Sequence, residues 1–188
     1  MKDVTIDKQV WMSENLNVEK FRNGDRIPES KSDEEWQKAG INREPTWCYY
    51  NNNPENGERY GKLYNWFAVN DPRGLAPEGW KIPSDEDWTR LTDFLGGEDD
   101  AGTKMKSISG WEDDGEEGTN ESGFSGLPGG GRYNYGTFGD IGEFGVWWSS
   151  TEKDTNVAWT RNLNNSDGFV SRGFSDKRIS LSVRCLRY

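Results

Sequence analysis

The sequence predicts an α+β domain, and three features carry that reading. Two segments in the first half pair helix-start signals with apolar residues at helical spacing. The second half is a series of short apolar runs separated by glycines. Ten Trp, eight Phe and seven Tyr offset a composition in which only 31% of residues are hydrophobic. Each aromatic buries far more area than a Val or Ala, so a core of rings replaces an aliphatic one. Such aromatic content argues against disorder. The 188 residues suit one domain, and with no repeat or linker visible the expected unit is a single domain over 1–188.

The elements follow in order. Val4-Thr5-Ile6 and Gln9-Val10-Trp11-Met12 read as a short hairpin, and Asn23-Gly24-Asp25 as a turn. Ser32 with Glu35 three residues on forms a capping-box pattern, opening a short helix that ends near Gly40. Thr46-Trp47-Cys48-Tyr49-Tyr50 is strand-like and stops at three asparagines. In 60–69, Tyr60, Leu63 and Phe67 share one face at helical spacing. A clearer helix begins at Ser84. Asp85, Glu86 and Asp87 suit its positive end, Trp88, Leu91 and Leu95 make its buried stripe, and Gly96-Gly97 ends it. Residues 110–118 form an acid-dense loop. Short strands are expected at 124–127, 131–135, 146–150, 158–163, 169–174 and 180–186. Two main helices early and strands late is an α+β plan.

Composition excludes several functions. The net charge of −10 opposes general binding of nucleic acid. The charge is uneven: from 155 to 188, six Lys/Arg face only Asp167 and Asp176. No run approaches the roughly 20 apolar residues of a membrane span. The first residues lack the apolar core of a signal peptide. There is no histidine, which removes the commonest general base, the Ser-His and Cys-His nucleophile pairs, and most zinc and copper sites. Cys48 and Cys185 permit one disulfide across a very long loop, and whether they meet stays open.

Several blocks together resemble one family. They are Val10-Trp11-Met12-Ser13-Glu14-Asn15-Leu16, Trp47-Cys48-Tyr49-Tyr50-Asn51, Tyr60-Gly61-Lys62-Leu63-Tyr64-Asn65-Trp66 and Gly79-Trp80-Lys81-Ile82-Pro83-Ser84. Gly123-Phe124-Ser125-Gly126-Leu127-Pro128-Gly129-Gly130, Trp147-Trp148-Ser149-Ser150-Thr151-Glu152 and Ser182-Val183-Arg184-Cys185-Leu186-Arg187 complete the set. In this order they resemble the Fibrobacter succinogenes major paralogous domain. That resemblance implies a C-type-lectin-like fold, in the wider group that also holds formylglycine-generating enzymes and retroelement-diversified variable proteins. It also implies an extracellular or cell-surface location, reached by leaderless export or with a leader lying outside this chain. The family usually has Cys-Pro-x-Gly-Trp-His-x-Pro where this chain has Ala76-Pro77-Glu78-Gly79-Trp80-Lys81-Ile82-Pro83, so a bridge or site built on that Cys and His is absent.

The individual motifs have plain readings beside the functional ones. Trp147-Trp148 is expected in a buried central strand with one indole on each side, and Trp66 and Trp80 in the core. Gly129-Gly130-Gly131-Arg132 lacks the Lys-Ser/Thr of a phosphate loop and reads as a tight turn between strands. Glu98-Asp99-Asp100 and the acids of 112–117 offer oxygens that suit Ca²⁺, but at no calcium-loop spacing. No cofactor is expected, Ca²⁺ being the one candidate, and the metal content is left open. The sugar-binding Glu-Pro-Asn and Trp-Asn-Asp triplets of calcium-dependent lectins are missing.

Residues 156–177 are the most suggestive stretch, mixing polar and aromatic side chains with few aliphatics. Asn156, Trp159, Arg161, Asn164, Asn165, Phe169, Arg172, Phe174 and Lys177 are the expected ligand contacts, since Trp, Arg, Asn and Phe supply area and forked hydrogen bonds. By its place before the last strand, the stretch also looks like the segment diversified in the retroelement proteins. The leading expectation is a non-catalytic recognition module for a protein or glycan surface, with no catalytic residues and an open oligomeric state. One alternative is a leaderless effector or cargo of a secretion or contractile injection apparatus. A second is a cysteine-dependent, oxidase-like enzyme using Cys48 or Cys185, although neither has an obvious activating base.

Overall fold

The computed structural model describes residues 2–112 and 118–188, so most of the acid-dense loop at 110–118 lies outside the described residues. The amino-terminal hairpin is present as β1 (Asp3–Ile6) and β2 (Gln9–Met12). The expected capping box opens α1 (Asp33–Asn42): Ser32 Oγ accepts from the Glu35 amide, and the Glu35 carboxylate accepts from the Ser32 amide. β3 (Trp47–Cys48) leads through a 3₁₀ turn to α2 (Pro54–Tyr60), which Asn53 caps and Pro54 starts. Then come β4 (Leu63–Asn65), α3 (Trp66–Val69) and β5 (Trp80–Lys81). Ser84 and Asp87 form a second capping box at the head of α4 (Asp85–Phe94), and α5 (Glu98–Met105) follows. The rest is β6 (Gly129–Arg132), β7 (Phe138–Ile141), β8 (Phe144–Glu152), β9 (Val157–Asn164), β10 (Ser171–Asp176), β11 (Ser180–Leu181) and β12 (Leu186–Arg187).

The fold is mixed α+β, with three antiparallel sheets among the described residues. Their strand orders are β1-β2-β12-β5, β10-β9-β8 and β3-β4-β11-β6-β7. The first ties the chain's two ends together through Leu186 opposite Trp11.

Several local expectations are corrected. The helical spacing of Tyr60, Leu63 and Phe67 does not produce one helix. Leu63 and Tyr64 lie in β4, paired with β3 and β11, and they enter different core clusters as strand neighbours must. Gly129–Arg132 is a strand rather than a turn. Residues 124–127 form no strand: Gly126 makes a single bridge to Lys106. The run 180–186 divides, leaving 182–185 between β11 and β12. Helix α5 departs from the sequence reading: Gly97 gives it no side-chain cap, although its acidic first turn, Glu98, Asp99 and Asp100, suits the positive end of a helix.

β8 sits between two clusters of core residues. Trp147 and Trp148, both fully buried, project to opposite sides as the sequence implies. Trp148 joins Tyr64, Trp66, Val183 and Cys185. Trp147 joins Trp11, Trp88, Leu91, Met105 and Phe124, where Trp88 and Phe124 meet edge-on at 5.8 Å. Each indole N–H of the pair has an acceptor, Asn15 Oδ1 for Trp147 and the Tyr64 carbonyl for Trp148, both at 2.8 Å. Arg184, also fully buried, lies 4.3 Å over the Phe124 ring and donates to Asn15 Oδ1 and to the Met12 and Phe124 carbonyls. One guanidinium thus closes the gap between β11 and β12 onto two distant segments.

Helix α5 packs on the loop that precedes β10 so closely that a Cβ at Gly102 would stand 2.3 Å from the Gly168 carbonyl oxygen. Helix propensity alone favours Gly102→Ala by about 1 kcal/mol. Overpacking against backbone costs about 1–3 kcal/mol and should win. Denaturant unfolding of Gly102→Ala should therefore show a net loss of stability.

Candidate functional site

Residues 156–177 form the β9–β10 hairpin and its flanks, with β10 at the sheet edge. Trp159 stands opposite Phe174 and Arg172 opposite Arg161, so these four side chains share one face. Trp159 and Phe174 meet edge-on at 6.2 Å. The Arg172 guanidinium lies 3.6 Å over the Trp159 ring, and Lys153 Nζ 4.0 Å over Phe174. Phe174 is 56% exposed and Trp159 half-buried, so the result is an open cluster of two rings and two cations.

Its anchor is Asp85, the first residue of α4. Asp85 accepts from Arg161 at 2.6 Å and from Arg172 at 2.8 Å, and Arg161 also donates to Thr89 Oγ1 at 2.9 Å. Burial by itself would raise the Asp85 pKa. The hydrogen bonds from Arg172 and Arg161 outweigh it and hold the carboxyl below the usual aspartate value.

The nine expected contacts separate by environment. Trp159, Arg172 and Phe174 form the exposed cluster. Arg161 and Lys177 require correction, because neither reaches the surface. Arg161 is 2% exposed and ties β9 to α4. Lys177 is 3% exposed, lies over the Trp66 ring, and donates to Glu152 and to the Asp154 and Thr155 carbonyls. Asn164 shapes the turn after β9, its Oδ1 accepting from the Ser166 and Asp167 amides. The half-buried Asn165 donates its amide to the Glu143 carbonyl. Phe169 is 47% exposed beside α5, and the exposed Asn156 lines a separate groove with Arg43, Phe67 and Arg178.

Lys153 escaped the sequence reading because it precedes the stretch. Most of the opposite face of the hairpin escaped as well: Thr160, Asn162, Gly173 and Ser175 line, with Ser171, a cleft of about 310 Å³ against β6 and β7. The signal was available in the period-two pattern of β9, where Trp159, Arg161 and Leu163 alternate with Ala158, Thr160 and Asn162.

The two cysteines are free, buried and in different clusters. Burial pushes the Cys48 thiol up to about 11 and the Cys185 thiol up to about 12. Ala76 stands in the same cluster as Cys185, and Lys81 is ion-paired with Asp87 at 2.7 Å. Where the family usually has Cys and His, this chain therefore has a core methyl and a helix-anchoring cation. Among the described residues no group of three or more Cys, Asp or Glu is placed to hold a metal ion. No helix there is long and apolar enough to cross a membrane.

Short antiparallel sheets around a ring-filled core, with an open hairpin at one edge, define an α+β domain that presents a side-chain surface. The chain belongs to the Fibrobacter succinogenes major domain family, whose family model matches residues 4–187. Comparison with curated proteins and with solved structures finds no match.

The lowered Asp85 pKa has a definite sign. The folded value lies below the unfolded one, so the stabilisation is present above the usual aspartate pKa of about 3.9 and is lost as pH falls through the folded value. Asp85→Asn should cost roughly 2–3 kcal/mol at pH 7, as a charged hydrogen-bond acceptor is lost. It should also flatten the fall in stability below about pH 4 relative to the parent. Thermal unfolding of both proteins across that range measures the difference.

Proposed function

We propose that this protein is a non-catalytic recognition module, and that the face carrying Trp159, Arg172, Phe174 and Lys153 contacts a protein or glycan surface. The observation carrying this reading is that two aromatic rings and two cations are assembled on one open face of the β9–β10 hairpin, whereas Trp11, Trp36, Trp88, Trp147 and Trp148 are sealed in the core. Exposed Trp, Phe and Arg are the residue types that dominate binding energy at interfaces. Here the rings are pre-positioned: the Trp159 indole is stacked under Arg172, which Asp85 fixes. Little side-chain freedom is left to lose on binding.

Two further points support a non-catalytic role. Both thiols are buried with raised pKa, the reverse of what an activated cysteine needs. The charged groups of the hairpin face are taken up in ion pairs and ring contacts that orient side chains. The C-type-lectin-like kinship belongs to the same proposal and is supported by the pairing of the first hairpin with the last strand. An extracellular or surface setting would place this face against its partner.

A glycan array and a display of surface proteins, probed with the parent chain and with Trp159→Ala/Phe174→Ala, test the proposal. The double variant should lose capture by about tenfold or more, the scale of one to two hot-spot side chains. Its melting temperature should fall by only a few degrees, because both rings lie outside the core clusters. Capture undiminished in the folded variant would refute the assignment of this face.

A further inference from the structure

The opposite face of the same hairpin holds a second feature, which the family assignment and the aromatic cluster leave unexplained. β8, β9 and β10 form one wall of the cleft of about 310 Å³, and the β6–β7 hairpin forms the other. That volume is at the lower end of small-ligand sites. Phe144, Val146, Ile179 and Leu181 give it an apolar floor, and Tyr133 adds a ring at its side. Thr160, Asn162, Ser171, Ser175 and Asp140 bring hydroxyl, amide and carboxylate groups to the same space.

Three details separate this cleft from an incidental gap. First, Asn162 Oδ1 is buried without a hydrogen-bond partner among the described residues, whereas the other three such atoms are indole nitrogens. A buried acceptor left unpaired is costly, and native proteins satisfy the great majority of them. Second, Asp140 has φ 68°, a left-handed backbone inside β7, opposite Gly130 at φ 58°. Such irregularities re-aim side chains, and the Asp140 carboxylate accepts the Tyr133 hydroxyl at 2.7 Å beside the cleft. Third, Gly173 keeps the β10 wall flat. A Cβ there would meet only Thr160 Oγ1, at 3.4 Å, so close packing does not require the glycine.

The chemistry of the walls selects a ligand class. Asn162 and Asp140 offer acceptors, and the hydroxyls can accept or donate. The one cation in the wall, Arg132, is buried and already donates to Asp33, Ser30 and Gly136, so an anionic ligand finds no free counter-charge here. A ring with an apolar C–H face and a hydroxyl-bearing edge matches both surfaces at once. The geometry points to a calcium-independent subsite for a single neutral sugar residue, with Asn162 and Asp140 accepting its hydroxyls and the apolar floor receiving its C–H face. This deepens the recognition reading by naming a ligand class, and it uses the face opposite the Trp159 cluster.

The test is amide-resolved NMR titration of the full chain, in chelator, with the methyl β-glycosides of glucose, galactose, mannose and xylose. Tetramethylammonium chloride serves as a cationic control. At least one glycoside should move the Asn162, Ser171 and Gly173 amides saturably, with a dissociation constant on the order of 1 mM. Gly173→Val, which fills the cleft at an edge-strand position that tolerates β-branching, should weaken that binding by about tenfold or more with the spectrum still folded. Asn162→Leu should weaken it too, with a melting temperature unchanged or raised, since the unpaired oxygen is gone. A folded parent in which none of the four glycosides moves these amides would overturn the proposal. So would a response to tetramethylammonium alone, or full glycoside affinity in Gly173→Val. Macromolecular capture by the Trp159 face without glycoside shifts would sink only the cleft assignment. Glycoside shifts without such capture would sink only the other.

Discussion

Buried cations hold this structure together. Lys62, Lys106, Arg132, Arg161, Lys177 and Arg184 are each 3% exposed or less. Five of the six lie over aromatic rings, from Arg184 at 4.3 Å above Phe124 to Lys106 at 5.4 Å from Trp111. The cause lies in the composition. With little aliphatic content and several strands of only two residues, many buried carbonyls have no ladder partner, and buried carbonyls must be paired. A guanidinium carries five donors in a fixed fork and can satisfy several acceptors from separate segments. Arg132 does this for Ser30 and Gly136, and Arg184 for Met12 and Phe124. Desolvating such a charge is expensive, and burial pushes the Arg184 pKa down to about 9. Acceptors and ring faces offset that cost, so the interior tolerates little change around these groups.

The same constraint shapes the surface. Arg161 and Lys177 fasten the two ends of the β9–β10 hairpin, to α4 and to the turn after β8. Between those fixings the hairpin is a firm two-faced plate. One face carries the ring and cation cluster, and the other lines the cleft. A plate fixed from below can present side chains without folding around them. That rigidity is the physical basis of the proposed recognition role.

Much of this was legible in the residues, and the failures have identifiable causes. The capping box at Ser32 and Glu35, the first hairpin and the opposed indoles of Trp147 and Trp148 follow from local patterns, and the structure has them. Leu63 misled because a three-residue strand is too short to show its period, and pairing with distant β11 decided the outcome. Helix α5 was hidden because two buried residues at i and i+4, Ala101 and Met105, carry its apolar face. For the candidate site, residue type identified the right hairpin and only part of its surface. Arg161 and Arg172 are the same residue on paired strands. What separates them is depth beside Asp85, set by a helix more than seventy residues earlier in the chain. Nothing local to β9 or β10 encodes that depth.

Arg161 and Arg172 therefore offer the most direct test, since they share one carboxylate and one register position but differ in burial. Denaturant unfolding of Arg161→Met and Arg172→Met at pH 7 gives the comparison. If buried cations are the ties of the fold and the outer face is free for a partner, Arg161→Met loses about 3 kcal/mol or more. Arg172→Met then loses about 1 kcal/mol or less. Equal losses, or a larger one at Arg172, would contradict the account.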